Sequence, residues 1–297
     1  MLLEKTIPAK YIFNKVKREV LYVFLLSIAV LLLTEMFQDW LPDMPLTIPA
    51  FIGTAISILL SFKLNQSYDR WWEARKVWGG IVNDSRTFVL QLQSLVAANN
   101  DDTIKKLGYR QIAWGYSLGQ ALRGTDPLAN LEGLLPANEI EAISKHANKP
   151  LAIMQLQGDD IKQLKETKQL DVFSHIQLDD TMVRLVASAG MAERIKGTVF
   201  PVTYRLFLHF IIYLFVVTLS IALQGVQGVF EIPLLLVIST SFFLLEKSAT
   251  HMQDPFSNKP TDTAVTAIAR NIEINLKQLL KDDNVPAPKT TDDFYLM

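Results

Sequence analysis

Residues 45–86 read PLTIPAFIGTAISILLSFKLNQSYDRWWEARKVWGGIVNDSR, and the change of character at Lys63 decides the fold. Up to Phe62 the stretch carries no charge; from Lys63 on it is rich in charge without losing helical spacing. A helix needs roughly 20 apolar residues to cross about 30 Å of hydrocarbon, and Pro45–Phe62 meets that need. Trp71, Trp72, Val77, Trp78, Ile81 and Val82 then interleave with charges across Asn65–Val96, with no proline among them. Nothing stops a membrane helix from running on into this soluble-looking half.

Three more stretches have the composition of spans. Val20–Phe37 (VLYVFLLSIAVLLLTEMF) carries one acid, Glu35, near its outer end. Thr198–Leu223 contains only Arg205 and His209, and Val229–Leu245 has Glu231 at its start and is otherwise apolar. A short acidic turn joins the first two spans, and Gln224–Gly228 joins the last two. Neither turn holds Lys or Arg, whereas Lys5, Lys10, Lys15, Lys17, Arg18, Lys63, Arg70, Arg75, Lys76, Arg194, Lys196 and Lys247 flank the opposite ends. Positive charge marks the cytoplasmic side. The expected topology is therefore multi-pass in a cell inner membrane with both termini cytoplasmic. Residues 1–19 form a cytoplasmic N-terminal segment and 20–62 spans one and two. Residues 63–197 form a cytoplasmic helical domain, 198–245 spans three and four, and 246–297 a cytoplasmic C-terminal helix and tail. The basic residues before the first span, its length, and the lack of a small-x-small site make it a retained anchor rather than a cleaved signal.

The charged middle reads as helices over Thr103–Arg123, Asn138–Leu156 and Asp171–Ile195, with Gly and Pro breaking the chain over Gly124–Pro136. In the tail, Ala264, Ile268, Ile272 and Leu276 recur every fourth residue over Thr263–Lys281. That stripe requires a partner surface. The fold class is all-α, with no segment of strand period.

Several chemistries are excluded or unsupported. The chain has no cysteine, which rules out disulfides, thiolate catalysis and Fe–S clusters. A net charge of −1 gives no reason to expect nucleic acid. His146, His175, His209 and His251 are far apart, with no paired spacing for zinc, and no Walker, dinucleotide or nucleophile-elbow motif is present. No metal, cofactor or enzymatic role is expected. His209 lies one turn from Arg205 inside the third span, where ionisable residues are functional candidates; Arg205, near the cytoplasmic end, favours a structural reading. Asp179–Asp180 reads as a solvated face.

The stretch NQSYDRWWEARKVWGGIVNDSR (65–86), directly after an uncharged span, resembles the bestrophin family and its bacterial relatives. The step Arg70-Trp71-Trp72 is its sharpest part. AERIKGTVFPVTYR (192–205) resembles the family's entry into the third span, and Asp254-Pro255-Phe256 resembles its Asn/Glu-Pro-Phe motif. The resemblance implies a homopentameric ion channel, surrounded by membrane lipids, whose pore runs between five copies of the second span. Its neck residues fall on Thr54, Ile58 and Phe62, which share one helix face. Rings of Ile and Phe offer an ion no ligand and gate by excluding water. Thr54 departs from the bulky apolar residue expected at the outer ring. A lower, cytoplasmic constriction falls at Val172, with Phe173 and Ile176 as neighbouring assignments. The family's animal members hold calcium with a run of acids after the Pro-Phe step. Here that run is Ser257-Asn258-Lys259-Pro260-Thr261-Asp262, too poor in carboxylates for a hard divalent cation. The resemblance implies conduction of monovalent ions, chloride foremost. Asp171, beside the lower ring, keeps a sodium-type cation channel as the alternative, and a non-conducting membrane scaffold is the reading from a different class. Arg70, Trp71 and Trp72 are read as a structural lock, against a rival in which Arg70 forms an anion-attracting ring.

Overall fold

The computed structural model describes residues 1, 5–37, 44–198, 201–223 and 228–296. Among them the chain forms nine α-helices and no strand: α1 (Ala9–Met36), α2 (Thr47–Leu95), α3 (Asp101–Leu122), α4 (Ala137–Ser144), α5 (Lys149–Glu166), α6 (Val172–Gly197), α7 (Val202–Ala222), α8 (Gly228–Gln253) and α9 (Val265–Leu279). Four of these, α1, α2, α7 and α8, are long and apolar enough to cross a membrane. The expected continuation of the second span is found: α2 is a single helix of 49 residues. The chain divides into two compact units. The span unit comprises Glu4–Arg70 and Val199–Gln253; Trp71–Thr198 and Asp254–Met297 belong to the second. Residues 38–43, 199–200 and 224–227 lie outside the described residues.

In the span unit, α1 buries Val16, Glu19, Val23, Ser27, Val30 and Thr34. Steps of three and four keep those positions on one stripe. Ile56 and Leu60 of α2, Leu208, Ile212 and Val216 of α7, and Leu235 and Phe243 of α8 complete the apolar core. Gly53 is small for a reason: a Cβ there would stand 3.2 Å from the ring of Phe215. Several span hydroxyls bond backward within their own helices, Ser27 to the Val23 carbonyl at 2.8 Å, Ser57 to Gly53 at 2.9 Å and Ser241 to Val237 at 2.9 Å. That spends the hydroxyl locally and adds nothing between helices. Cross-helix polar ties centre on α8. Glu231 accepts from Ser220 at 2.5 Å, Lys247 pairs with Glu19 at 2.6 Å, and Glu246 pairs with Lys63 at 2.6 Å.

The second unit packs the distal part of α2 with α3, α4, α5, α6 and α9 around Trp78, Trp114, Phe88 and Phe256, all essentially sealed from solvent. Each such side chain contributes about 1.5–3 kcal/mol through burial. The stripe on the tail finds its surface on α3: Ile272 and Leu276 are fully buried there. The single helix expected over Asn138–Leu156 is instead two, α4 and α5. Asn148 accepts from the Leu151 N–H at 3.0 Å as an N-cap, and Pro150 follows in the first turn. Both residues are helix starters, so the chain ends one helix and begins another. Arg110, 2% exposed, binds Glu139 through both oxygens at 2.7 and 3.1 Å and Asp160 at 2.9 Å, joining α3 to α4 and α5.

Candidate functional site

α2 presents two different faces in the span unit. Thr54, Ile58 and Phe62 point away from the unit's core; Ile58 is 54% and Phe62 62% exposed. Ile56, Leu60, Lys63 and Ser67, on the opposite side, are buried. The Thr54 hydroxyl donates to the Ala50 carbonyl at 2.9 Å, so its proton is used within the helix and is not offered as a donor on this face. Beside Phe62 lies a groove of about 630 Å³ lined by Leu59, Gln66, Pro201, Thr203, Tyr204 and Phe207. Tyr204 closes one wall by donating to the Leu59 carbonyl at 2.8 Å.

Behind this face lies Lys63, which in the sequence is one of several basic residues flanking the spans. Lys63 is 1% exposed and donates to Glu246 Oε1 at 2.6 Å and Thr250 Oγ1 at 2.9 Å. Thr250 donates onward to the same carboxylate oxygen at 2.8 Å. The other oxygen of Glu246 faces His209 Nε2 at 3.4 Å, and the His209 ring stands edge-on to Phe243. Arg205, by contrast, is exposed. Glu246 lies one residue beyond the apolar run Val229–Leu245, so composition does not single it out. The signal in the sequence is an acid directly beside Lys247, at the basic end of a span.

Arg70 closes the span unit's part of α2, donating through Nε to the Gln253 carbonyl at the end of α8 at 2.6 Å. Trp71, in the second unit, donates through Nε1 to the Thr261 carbonyl at 3.1 Å, and its ring lies 6.3 Å from that of Trp72. The three residues thus have different surroundings, as consecutive helix positions must. Full burial does not extend to Trp72, which is 46% exposed.

Asp254, Pro255 and Phe256 start the segment after α8. The Asp254 carboxylate meets Lys196 Nζ at 3.1 Å and the Phe256 N–H at 3.2 Å. Burial pushes its carboxyl up, but hydrogen bonds from Ser257, Lys196 and Phe256 outweigh this and hold it below the ordinary range. The Pro255 carbonyl accepts from Thr263 at 3.1 Å, and Phe256 is fully buried. Asp262 behaves oppositely. It is sealed from solvent, and burial raises its carboxyl above the usual range despite the backbone N–H groups of Lys259 and Ser257; the charge of Asp254 adds to the rise.

Val172, Phe173 and Ile176 lie together on the first turns of α6, exposed by 56%, 80% and 57%. Asp171 caps that helix, accepting from the N–H groups of Phe173 and Ser174 at 2.9 and 3.1 Å. The Ser174 hydroxyl and N–H hold its carboxyl below the ordinary range, so the charge at this helix start persists to low pH. Among the described residues, no three His, Asp or Glu side chains are grouped as a metal site would require.

The chain's relatives agree with this architecture. It is 29% identical over 271 residues to a voltage-dependent anion channel-forming protein of Ralstonia nicotianae, covering 89% of this chain and 87% of that protein. It is 28% identical over 285 residues to the voltage-dependent anion channel-forming protein YneE of Escherichia coli, covering 96% and 93%. The crystal structure of a bacterial bestrophin homologue from Klebsiella pneumoniae superposes with a TM-score of 0.83 at 29% identity, over 90% of this chain and 99% of that one. The profile of the bacterial and fungal bestrophins matches residues 6–278, and by that match over most of its length the chain is a member of the bestrophin family.

Proposed function

We propose that five copies of this chain form an ion channel lined by α2, with Thr54, Ile58 and Phe62 facing the axis as the neck. The carrying observation is the outward stripe itself: apolar Ile58 and Phe62 stay exposed while the opposite face of the same helix buries a charged pair. Five such stripes make rings with no ligand for an ion, which pass current only when wide enough to stay wet. The groove beside Phe62 gives its ring room to turn aside. Val172, Phe173 and Ile176 supply a second apolar ring at the start of α6. Anion conduction follows from the names of the relatives, and monovalent chloride is the expected ion. The alternative of cation conduction is favoured by Asp171, an ionised group next to that second ring. Both termini and the second unit lie in the cytoplasm of an inner-membrane protein, and calcium is not required for opening.

The test is current from purified protein in a lipid bilayer with asymmetric NaCl, alongside the mass of the solubilised particle. A particle near five times 33.5 kDa and a reversal potential toward that of chloride support the reading. A reversal potential toward that of sodium replaces the anion with the cation. A monomer that carries no current leaves a membrane scaffold.

A further inference from the structure

We propose that Lys63 and Glu246 are the positioning pair of the neck: their buried contact sets the rotation of α2, and through it the width of the ring that Phe62 forms. This rests on the pore reading above. Lys63 is the only charged residue of α2 between Thr47 and Asp69. Its side chain and that of Glu246 are each 1% exposed, and their contact is 2.6 Å. Thr250 touches both partners, and His209 faces the remaining carboxylate oxygen, so α2, α7 and α8 meet at one polar point inside an apolar unit.

A charge pair in such a place is a poor choice for cohesion alone. Two well-packed apolar side chains hold helices together at least as well without the desolvation cost. What the pair adds is direction. Apolar contact is non-directional, whereas a buried ammonium that slips from its carboxylate leaves two uncompensated charges. Residue 63 sits about 100° around the helix from residue 62, and a side-chain atom lies roughly 6 Å from the axis. A rotation of about 10° therefore moves it by about 1 Å, enough to open a 2.6 Å contact. The same rotation carries Phe62 tangentially around the proposed ring. The pair thus keys the helix, and the neck inherits its setting.

The test uses substitutions that keep both charges and change only reach, read as unitary conductance of the full chain in bilayers. Lys63→Arg lengthens one arm and Glu246→Asp shortens the other. Each single variant is expected to assemble and to show a conductance shifted several-fold or broken into sublevels. The double variant Lys63→Arg/Glu246→Asp, whose changes offset, is expected to return toward wild type. Lys247→Arg, in the Glu19 pair that does not involve α2, is the control and keeps wild-type conductance. Phe62→Ala checks the underlying pore reading. Raised conductance in Phe62→Ala with wild-type values in both single variants overturns the positioning role alone. Unchanged conductance in Phe62→Ala and in every pair variant overturns the pore. Should a single variant not assemble, the double variant decides: recovery of both assembly and conductance supports the pair, and failure to recover either counts against it.

Discussion

Truncating Phe256 to Ala offers the sharpest energetic test of the segment that follows α8. The ring is fully buried in the core of the second unit, beside Pro255, whose carbonyl fastens Thr263. Removing it withdraws about 130 Å² of apolar surface, worth about 3 kcal/mol at 25 cal/mol/Å². A cavity that fails to close adds up to about 2 kcal/mol, so the loss lies between about 3 and 5 kcal/mol. At about 2–4 °C per kcal/mol, the unfolding midpoint of this unit should fall by roughly 6–20 °C. Intrinsic fluorescence reports on it selectively, because Trp71, Trp72, Trp78 and Trp114, four of the chain's five tryptophans, belong to this unit. Solubilised wild type and variant would be heated side by side. A midpoint within a degree or two of wild type would show that Phe256 does not hold the unit together.

Other outcomes are equally direct. Ile58→Ala or Phe62→Ala should raise conductance by widening a dewetting ring; wild-type currents from both would move the gate to Val172. Micromolar calcium should leave open probability unchanged, and a calcium-dependent rise abolished by Asp262→Ala would reverse that expectation. The two aspartates should give opposite pH dependences. Asp254, held below its usual value of 3.8, stabilises above that pH and loses its contribution as pH falls through the folded value, so Asp254→Asn should be more harmful near about pH 7 than near about pH 3. Asp262 is raised, so its contribution is present below 3.8 and lost as pH rises through the folded value; Asp262→Asn should gain thermal stability relative to wild type as pH increases.

The span-forming helices were readable because the property that makes them, a run of apolar residues, is local. So was the continuity of α2, since nothing in Asn65–Val96 breaks a helix. The division between α4 and α5 was also written locally, in Asn148 and Pro150, but the apolar spacing across them masked two short-range starters. Trp72 could not be placed from its neighbours, because how much of an indole is covered depends on elements far along the chain. The same holds for Lys63 and Glu246, which are 183 residues apart. In sequence Lys63 looks like any basic residue at a membrane boundary, and only the arrival of α8 and α7 turns it inward. The neck positions came from resemblance; their exposure on a single chain is a property of the folded unit.

That α8 carries the ion pairs between the spans has a consequence for how the chain is made. Synthesis runs from the N-terminus, so Glu19 and Lys63 reach the bilayer well before the fourth span exists. Until then neither has the partner it holds in the finished protein, Lys247 for one and Glu246 for the other. The first three spans alone therefore lack both of these partners, and α8 supplies them. A ribosome stalled before residue 246 would leave Lys63 without its carboxylate and Glu19 without its ammonium, a ready mark of a chain not yet complete.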